Sequence, residues 1–312
     1  MNAVEATGLS LDLHFDTRET LCVAVRSQRW LAVGLAAIGV GLAAVAVLGP
    51  LVSGLIEYRV TETLRNQTIG LDIVSLFLVA PLGLLAATLV LRGHLAAFAV
   101  APAIGAYTSY MFLQYILGPD YTRLPGNNER LFPLCLLLFA AGWLVALAAW
   151  RTTADERLPS AGSHSRAIAV VLAILGFATF FRYVPALADW MSGTPKDEVY
   201  RAGPGFAWAI ATLDLGLFLP ATVAACIGLF RGEPWAQKLA YAVVGWFGLV
   251  GPAVASMALT MYVNDDPNAS GANAAFMITL GIAFALLALF VYRDLMPGRG
   301  VKTTAGFDGR VS

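Results

Sequence analysis

The chain has 312 residues, of which 58% are hydrophobic and only 13% are charged, whereas charged residues make up about 25% of an average soluble domain. Its formal net charge is zero, so neither a nucleic-acid partner nor a polybasic lipid tether is indicated. Its cysteines, Cys22, Cys135 and Cys226, lie far apart without the spacing of metal ligands or of a disulfide framework. This composition predicts an integral membrane protein whose main partner is the lipid bilayer.

The first 29 residues form a polar tail with seven charged side chains and no apolar core. A cleavable signal peptide would have such a core within this length. The first apolar segment begins at Trp30 and is longer than the core of a signal peptide. We therefore expect it to remain in the membrane as a signal anchor.

Eight apolar segments follow one another along the chain, and a helix needs about 20 apolar residues to cross a bilayer. Six are uninterrupted, at 30–55, 73–91, 95–118, 131–150, 239–263 and 274–292. Two contain one charge each: Arg182 lies in 167–188, and Asp214 lies in 206–230. The runs are continuous rather than alternating, which excludes half-buried strands. The sequence thus predicts an all-α, polytopic transmembrane bundle of eight spans.

Lysine and arginine are distributed unequally between the two sets of loops. With a cytoplasmic N-terminus, the inner segments carry thirteen of them and the outer loops carry six, with Arg182 inside the membrane. Positive charge is retained on the cytoplasmic side, so both chain ends are predicted to be cytoplasmic. The Ala/Leu/Val-rich composition favours a bacterial cytoplasmic (inner) membrane.

The two halves of the chain share a short pattern. The string LFLVAPLGLLAATLVLRG begins at Leu76 and LFLPATVAACIGLFRG begins at Leu217, with the proline eleven residues before the Arg-Gly pair in both. This pattern predicts two four-helix repeats, at 30–150 and 167–293, related by an axis along the membrane normal. The remaining parts are a cytoplasmic N-terminal tail (1–29), a cytoplasmic linker (151–166) and a cytoplasmic C-terminal tail (294–312). The alternative is a chance match between two Leu/Ala-rich strings.

The strings LDIVSLFLVAPLGLLAATLVLRG, YTSYMFLQYILG and ATLDLGLFLPA also carry a resemblance. Over about 70–150 and 190–293, the chain resembles an uncharacterised group of prokaryotic polytopic membrane proteins with no assigned activity. This resemblance implies a multi-span architecture. It implies no activity and no functional residue.

Arg182 and Asp214 are the charges that need the most explanation, because a charge at the centre of a membrane helix costs about 2.5–3.5 kcal/mol on insertion scales. They lie at similar depths on consecutive segments, so we expect them to form an ion pair. The pair would be either a structural clamp between helices or a solute-binding or gating pair. A third alternative is that Arg182 reaches the lipid headgroups.

Asp72 is expected at the outer N-terminus of the second helix, where the helix macrodipole favours an acidic side chain. Its predicted partners are Arg59 and Arg65 in the preceding loop, or Arg182 in the other half.

Tyr107, Tyr110 and Gln114 recur on one face of the third helix. This face is expected to point into the bundle, where it would either line a hydrated cavity or form hydrogen bonds between helices. Tyr115 and Tyr121 are expected to be interfacial anchors.

Together these residues predict an outward-facing polar pocket between the halves. Its candidate lining residues are Asp72, Tyr107, Tyr110, Gln114, Arg182 and Asp214, with Tyr262 as a further candidate. No catalytic, cofactor-binding or metal-binding residue is predicted, because HExxH and CxxC are absent and the three histidines lie in the tail or near helix ends. The turn at 265–268 is expected to be held by Asx hydrogen bonds rather than by a cation.

Three function classes follow. A small-solute or ion transporter is favoured by the repeat and the intramembrane charges, and it should have a water-accessible cavity. A non-catalytic membrane-complex subunit or sensor should have a dry core and an exposed contact face, with another membrane subunit as partner. A lipid-acting enzyme is disfavoured, because no nucleophile–base set is visible in the sequence.

Overall fold

The computed structural model describes residues 17–153, 158 and 164–295, and among these it contains eight long helices and no strand. All eight helices are long and apolar enough to cross a membrane. Their bounds are α1, Thr17–Leu48; α2, Glu62–Leu91; α3, Leu95–Leu117; α4, Asn128–Thr152; α5, His164–Trp190; α6, Pro204–Arg231; α7, Pro234–Val263; and α8, Gly271–Leu295. The all-α membrane bundle that the sequence predicts is therefore confirmed.

Two helix boundaries differ from the prediction. α1 ends at Leu48 rather than at residue 55, because Pro50 has no N–H with which to continue the helix. α2 begins at Glu62, eleven residues before the predicted segment. The expectation that Asp72 lies at a helix N-terminus is consequently wrong, since almost three turns of helix precede it.

The predicted tails and linker are only partly described. Residues 17–29 of the predicted N-terminal tail belong to α1, so the helix starts well before the apolar segment does. Residues 1–16, 154–157, 159–163 and 296–312 lie outside the described residues.

Both α2 and α6 contain one π-helical turn near their middle. These turns span Ser75–Val79 and Asp214–Phe218, and each ends two residues before a proline, Pro81 or Pro220. A proline inside a helix lacks the N–H donor and displaces the carbonyl four residues earlier. A wider π turn accommodates that carbonyl, and π turns occur frequently at functional sites.

The helices pack mainly as consecutive pairs. α1 packs on the second half of α2, α3 on α4, α5 on the second half of α6, and α7 on α8. At the crossing of α3 and α4 the backbones are so close that a Cβ on Gly142 would lie 2.5 Å from the carbonyl oxygen of Gly105. Small residues permit this approach, as is usual for helices that associate in lipid. α7 joins the two halves by packing on both α2 and α3.

Burial differs strongly between the helices. In α3, 72% of the most apolar window is buried, against 28% in α4 and α5 and 17% in α8. The exposed side chains of α8 are large and apolar, as Phe276 and Leu286 illustrate. In a bilayer such a surface contacts lipid. α3 is therefore the central helix of the bundle.

The loops that follow α1, α3 and α7 lie together at one end of the bundle, where they contact one another or the start of α2. We call this end of the bundle the predicted outer end. It carries the loops after α1, α3, α5 and α7.

Candidate functional site

Four of the residues predicted to form one pocket, Asp72, Tyr107, Tyr110 and Asp214, are divided between two polar groups. The Asp72 group consists of Asp72, Ser75, Tyr107 and Tyr115, together with Tyr58 from the loop after α1. The Asp214 group consists of Asp214, Tyr110 and Tyr183. α3 contributes at least one tyrosine to each group.

In the Asp214 group, both carboxylate oxygens have a donor. The Tyr110 hydroxyl donates to Oδ1 over 3.0 Å, and the Tyr183 hydroxyl donates to Oδ2 over 2.6 Å. The ring of Tyr110 meets Phe218 and Trp246 edge-on, and these two rings stack with centroids 3.6 Å apart. The group is a fully satisfied clamp that joins α3, α5 and α6.

In the Asp72 group, only one carboxylate oxygen has a donor. The Tyr115 hydroxyl donates to Oδ1 over 2.8 Å, whereas Oδ2 has no hydrogen-bond partner among the described residues. The side chain is only 1% exposed. The hydroxyl of Tyr58 is likewise buried without a partner in the described part of the chain. An unsatisfied buried polar group costs about 1–3 kcal/mol, which makes this pair of atoms unusual.

A second hydroxyl contact extends this group towards the middle of the membrane. Ser75, one helical turn after Asp72, lies with its hydroxyl 3.0 Å from that of Tyr107. Asp72 itself is the eleventh residue of α2, and Asp214 is the eleventh residue of α6. At 1.5 Å per residue both carboxyl groups are about 15 Å along their helix from its first residue. Both therefore lie well inside the helical bundle rather than in the loops at its end.

The ion pair expected between Arg182 and Asp214 is not formed. Asp214 already has a tyrosine donor on each oxygen, and the Arg182 side chain is exposed on the outside of α5. Its guanidinium carbon lies 5.6 Å from the ring centroid of Tyr183. Consecutive helical residues project about 100° apart, so Arg182 and Tyr183 cannot both face Asp214. Tyr183 is the side chain that reaches the aspartate.

Three other expectations are also corrected. Arg59 binds Glu129 rather than Asp72. Tyr115, expected as an interfacial anchor, is buried and binds Asp72. Tyr262 is 52% exposed and lines no buried site with the aspartates. Gln114 is buried as expected, and its amide nitrogen has no partner among the described residues.

The Asp72 group is covered at the predicted outer end by two loops that are bonded together. Arg59 makes two hydrogen bonds to the carboxylate of Glu129, at 2.9 and 3.1 Å, and donates a third to the Leu124 carbonyl. The hydrogen bond to Glu129 raises the pKa of Arg59. The backbone N–H of Asn127 donates to the Glu57 carbonyl, and its side-chain oxygen accepts from the Glu57 N–H. We call these two bonded loops the outer cap.

Tyr58 lies in the outer cap directly above Asp72. Its ring packs on that of Tyr115 with centroids 5.3 Å apart. Burial raises the pKa of the Tyr58 hydroxyl well above its ordinary value, and Asp72 raises it further when it is ionised. Tyr58 therefore keeps its proton, although its hydroxyl has no acceptor among the described residues.

A third polar group holds the loop after α7 against the start of α2. Asp266 accepts from Thr63, from Asn66 and from the backbone N–H of Asn268, at 2.9–3.1 Å. The last of these bonds is the Asx hydrogen bond that the sequence predicts for this turn. The contacts to Thr63 and Asn66 were not predicted. They explain why the polar first half of α2 can be helical within the bundle.

No family model matches the chain, no curated protein is similar to it, and no solved structure resembles it. Within the described residues, no group of three or more His, Cys, Asp or Glu side chains could hold a metal ion. The function is therefore argued from the two aspartate groups alone.

The clamp around Asp214 can be tested by removing one hydroxyl. Tyr110→Phe should destabilise the purified protein by about 1–3 kcal/mol, because one oxygen of a buried carboxylate loses its donor. In an Asp214→Leu background the same change should cost much less, since the acceptor is gone. Thermal unfolding in detergent measures both. Tyr121→Phe, which removes an exposed hydroxyl, is the control, and equal losses in the two backgrounds would contradict the clamp.

Proposed function

We propose that the protein is an ion or small-solute transporter whose site lies between α2, α3 and α6. The observation that carries this proposal is that α2 and α6 each bury an aspartate at the eleventh residue of a helix that is apolar enough to span a membrane, and neither aspartate forms an ion pair within the described residues. Ionisable side chains at this depth are costly and mark ion or substrate pathways by default.

The position of the π turns supports the same proposal. One turn begins three residues after Asp72 and the other begins at Asp214 itself. A π turn leaves part of the helical hydrogen-bond ladder irregular, which allows local bending. Bending at these turns would change the distance between the aspartates and the tyrosines of α3.

The outward-facing pocket that the sequence predicts would open by movement of the outer cap. Asp72 and Tyr107 are almost completely buried, and Asp214 is 9% exposed, so the site is closed in this structure. In the proposed cycle this is an occluded state. The bonds between Arg59 and Glu129 and between Glu57 and Asn127 are the contacts that would have to break.

Matching features of the two halves support an ancient duplication. An offset of 139 residues relates the π turn of α2 to that of α6. The same offset relates the prolines that follow these turns, and it relates the start of α3 to the start of α7. Gly93 and Gly232, also 139 residues apart, both have a left-handed backbone, with φ of 73° and 75°. The repeats proposed at 30–150 and 167–293 would share one orientation in the membrane, as in transporters with parallel repeats.

The proposal places the protein in a bacterial cytoplasmic membrane with both chain ends inside. It rests on the excess of lysine and arginine in the predicted inner segments. Membership of the uncharacterised prokaryotic group of multi-span proteins, which the sequence resembles, is part of the same proposal.

A non-catalytic subunit of a membrane complex, or a sensor, is the second candidate. It is favoured by the low water accessibility of the aspartates and by the large apolar face of α8. Such a face could contact another membrane subunit instead of lipid.

Cysteine accessibility tests the proposed orientation. In a variant without native cysteines, a single cysteine that replaces Arg123 or Thr194 should react with an impermeant maleimide added to intact cells. Cysteines at Arg92 and Glu233 should react only after the membrane is opened. These four side chains are exposed and lie in loops at opposite ends of the bundle. Labelling of Glu233→Cys in intact cells would contradict both the orientation and the parallel repeat.

Transport itself can be tested in proteoliposomes on a solid-supported membrane. Amino acids, sugars, organic acids and monovalent cations are applied in turn, and at least one class should produce a current. Asp72→Asn should abolish that current, because it removes the ionisable group and keeps the shape of the side chain. Empty liposomes are the control. Absence of current for every class, with folded and correctly inserted protein, would favour the subunit or sensor instead.

A further inference from the structure

Three oxygen atoms converge beside Gly49, just after the end of α1. A Cβ at this position would lie 3.1 Å from the Val45 carbonyl oxygen, 3.2 Å from Oδ2 of Asp72 and 3.3 Å from the Tyr58 hydroxyl. The last two atoms have no hydrogen-bond partner in the described part of the chain. Both side chains are more than nine-tenths buried. Glycine thus leaves a small cradle into which two unsatisfied polar groups point.

The electrostatics of this cradle disfavour a negative charge. It lies at the C-terminal end of α1, where the helix macrodipole and the last carbonyl groups are negative. Pro50 has no N–H, so it cannot donate to the Ala46 carbonyl, and the end of the helix is left with an additional free acceptor. A carboxylate oxygen placed here faces acceptors and has no donor of its own.

The surrounding titratable groups do not compensate for such a charge. Those that interact with Asp72 are Tyr58 from the cap, Tyr107 and Tyr115 from α3, and Cys135 from α4. None of them is a cation. α7 contributes Met257 opposite Gly70 and no titratable group at this contact.

We infer that Asp72 is a proton-binding site, with the proton held on Oδ2 and donated to the Val45 carbonyl. In this state Oδ1 still accepts from Tyr115, and Oδ2 becomes a hydroxyl group that can donate. The Val45 carbonyl, which already accepts from the Gly49 N–H over 2.9 Å, uses its second lone pair. Oδ2 then has a hydrogen-bond partner, whereas an ionised Oδ2 has no donor among the described residues.

Asp214 has no carboxylate oxygen without a hydrogen-bond partner, because two tyrosine hydroxyls already donate to its two oxygens. The two aspartates are therefore expected to differ in charge state, with Asp72 neutral and Asp214 ionised. This inference deepens the proposed function, because it makes the proton of Asp72 the coupling ion of the transporter. When the outer cap opens, the proton would leave Oδ2, pass Tyr58 and reach water at the predicted outer end.

Infrared spectroscopy of the full chain in nanodiscs tests this directly. The wild-type protein should show a carbonyl stretching band of a protonated carboxylic acid that shifts in D₂O and disappears as the pH is raised. Asp72→Asn should remove the band, whereas the matched variant Asp214→Asn should keep it. Gly49→Ala, which fills the cradle, should shift the band, and Gly216→Ala, where the added methyl meets nothing within 4 Å, should not.

Three outcomes overturn the inference. The first is that no titrating band depends on Asp72. The second is that the band disappears when sodium chloride replaces choline chloride at constant pH, and the third is that the band is unchanged in folded Gly49→Ala. The Gly49 variant keeps the test decisive even when Asp72→Asn fails to fold. The measurement needs no transport, so a band without any transport current would refute the proposed transporter and leave the proton site intact.

Discussion

A polar group in the hydrocarbon core of a membrane has no water to bind, so the protein has to supply its hydrogen-bond partners. In this bundle α3 supplies them. Its tyrosines reach three different polar partners: Tyr107 contacts Ser75, Tyr110 donates to Asp214 and Tyr115 donates to Asp72. This requirement explains why α3 is the most enclosed helix and why α2 and α6, which carry the aspartates, are arranged around it.

The two aspartates meet this requirement to different degrees, and the proposed repeat shows how the difference could have arisen. When the two halves are aligned with an offset of 139 residues, Asp214 corresponds to Ser75, and Asp72 corresponds to Ala211. The carboxyl group is thus displaced by about one helical turn between the halves. In α6 it lies where two tyrosines reach it. In α2 it lies below the end of α1, where Oδ2 faces carbonyl groups instead.

The sequence predicted the number and class of the helices because apolar runs of about 20 residues have few other uses in a protein. It also identified Tyr107 and Tyr110 from their spacing on one helical face. It failed for contacts that depend on how helices are rotated against each other. Nothing in the composition distinguishes Arg182 from Tyr183 as the partner of Asp214. The start of α2 was missed because the residues before Asp72 are polar, and their partners, such as Asp266, lie about 200 residues away.

The central claim is that Asp214 maintains the structure while Asp72 exchanges a proton. Thermal unfolding and transport current, measured side by side for Asp72→Asn and Asp214→Asn, test this claim most directly. The account predicts that Asp72→Asn unfolds at or above the wild-type temperature and carries no current, because a neutral amide can replace a neutral acid but cannot release a proton. It predicts that Asp214→Asn unfolds at a lower temperature, since an amide nitrogen cannot accept the tyrosine hydrogen bond. A lower unfolding temperature for Asp72→Asn with an unchanged one for Asp214→Asn, or undiminished current in Asp72→Asn, would contradict it.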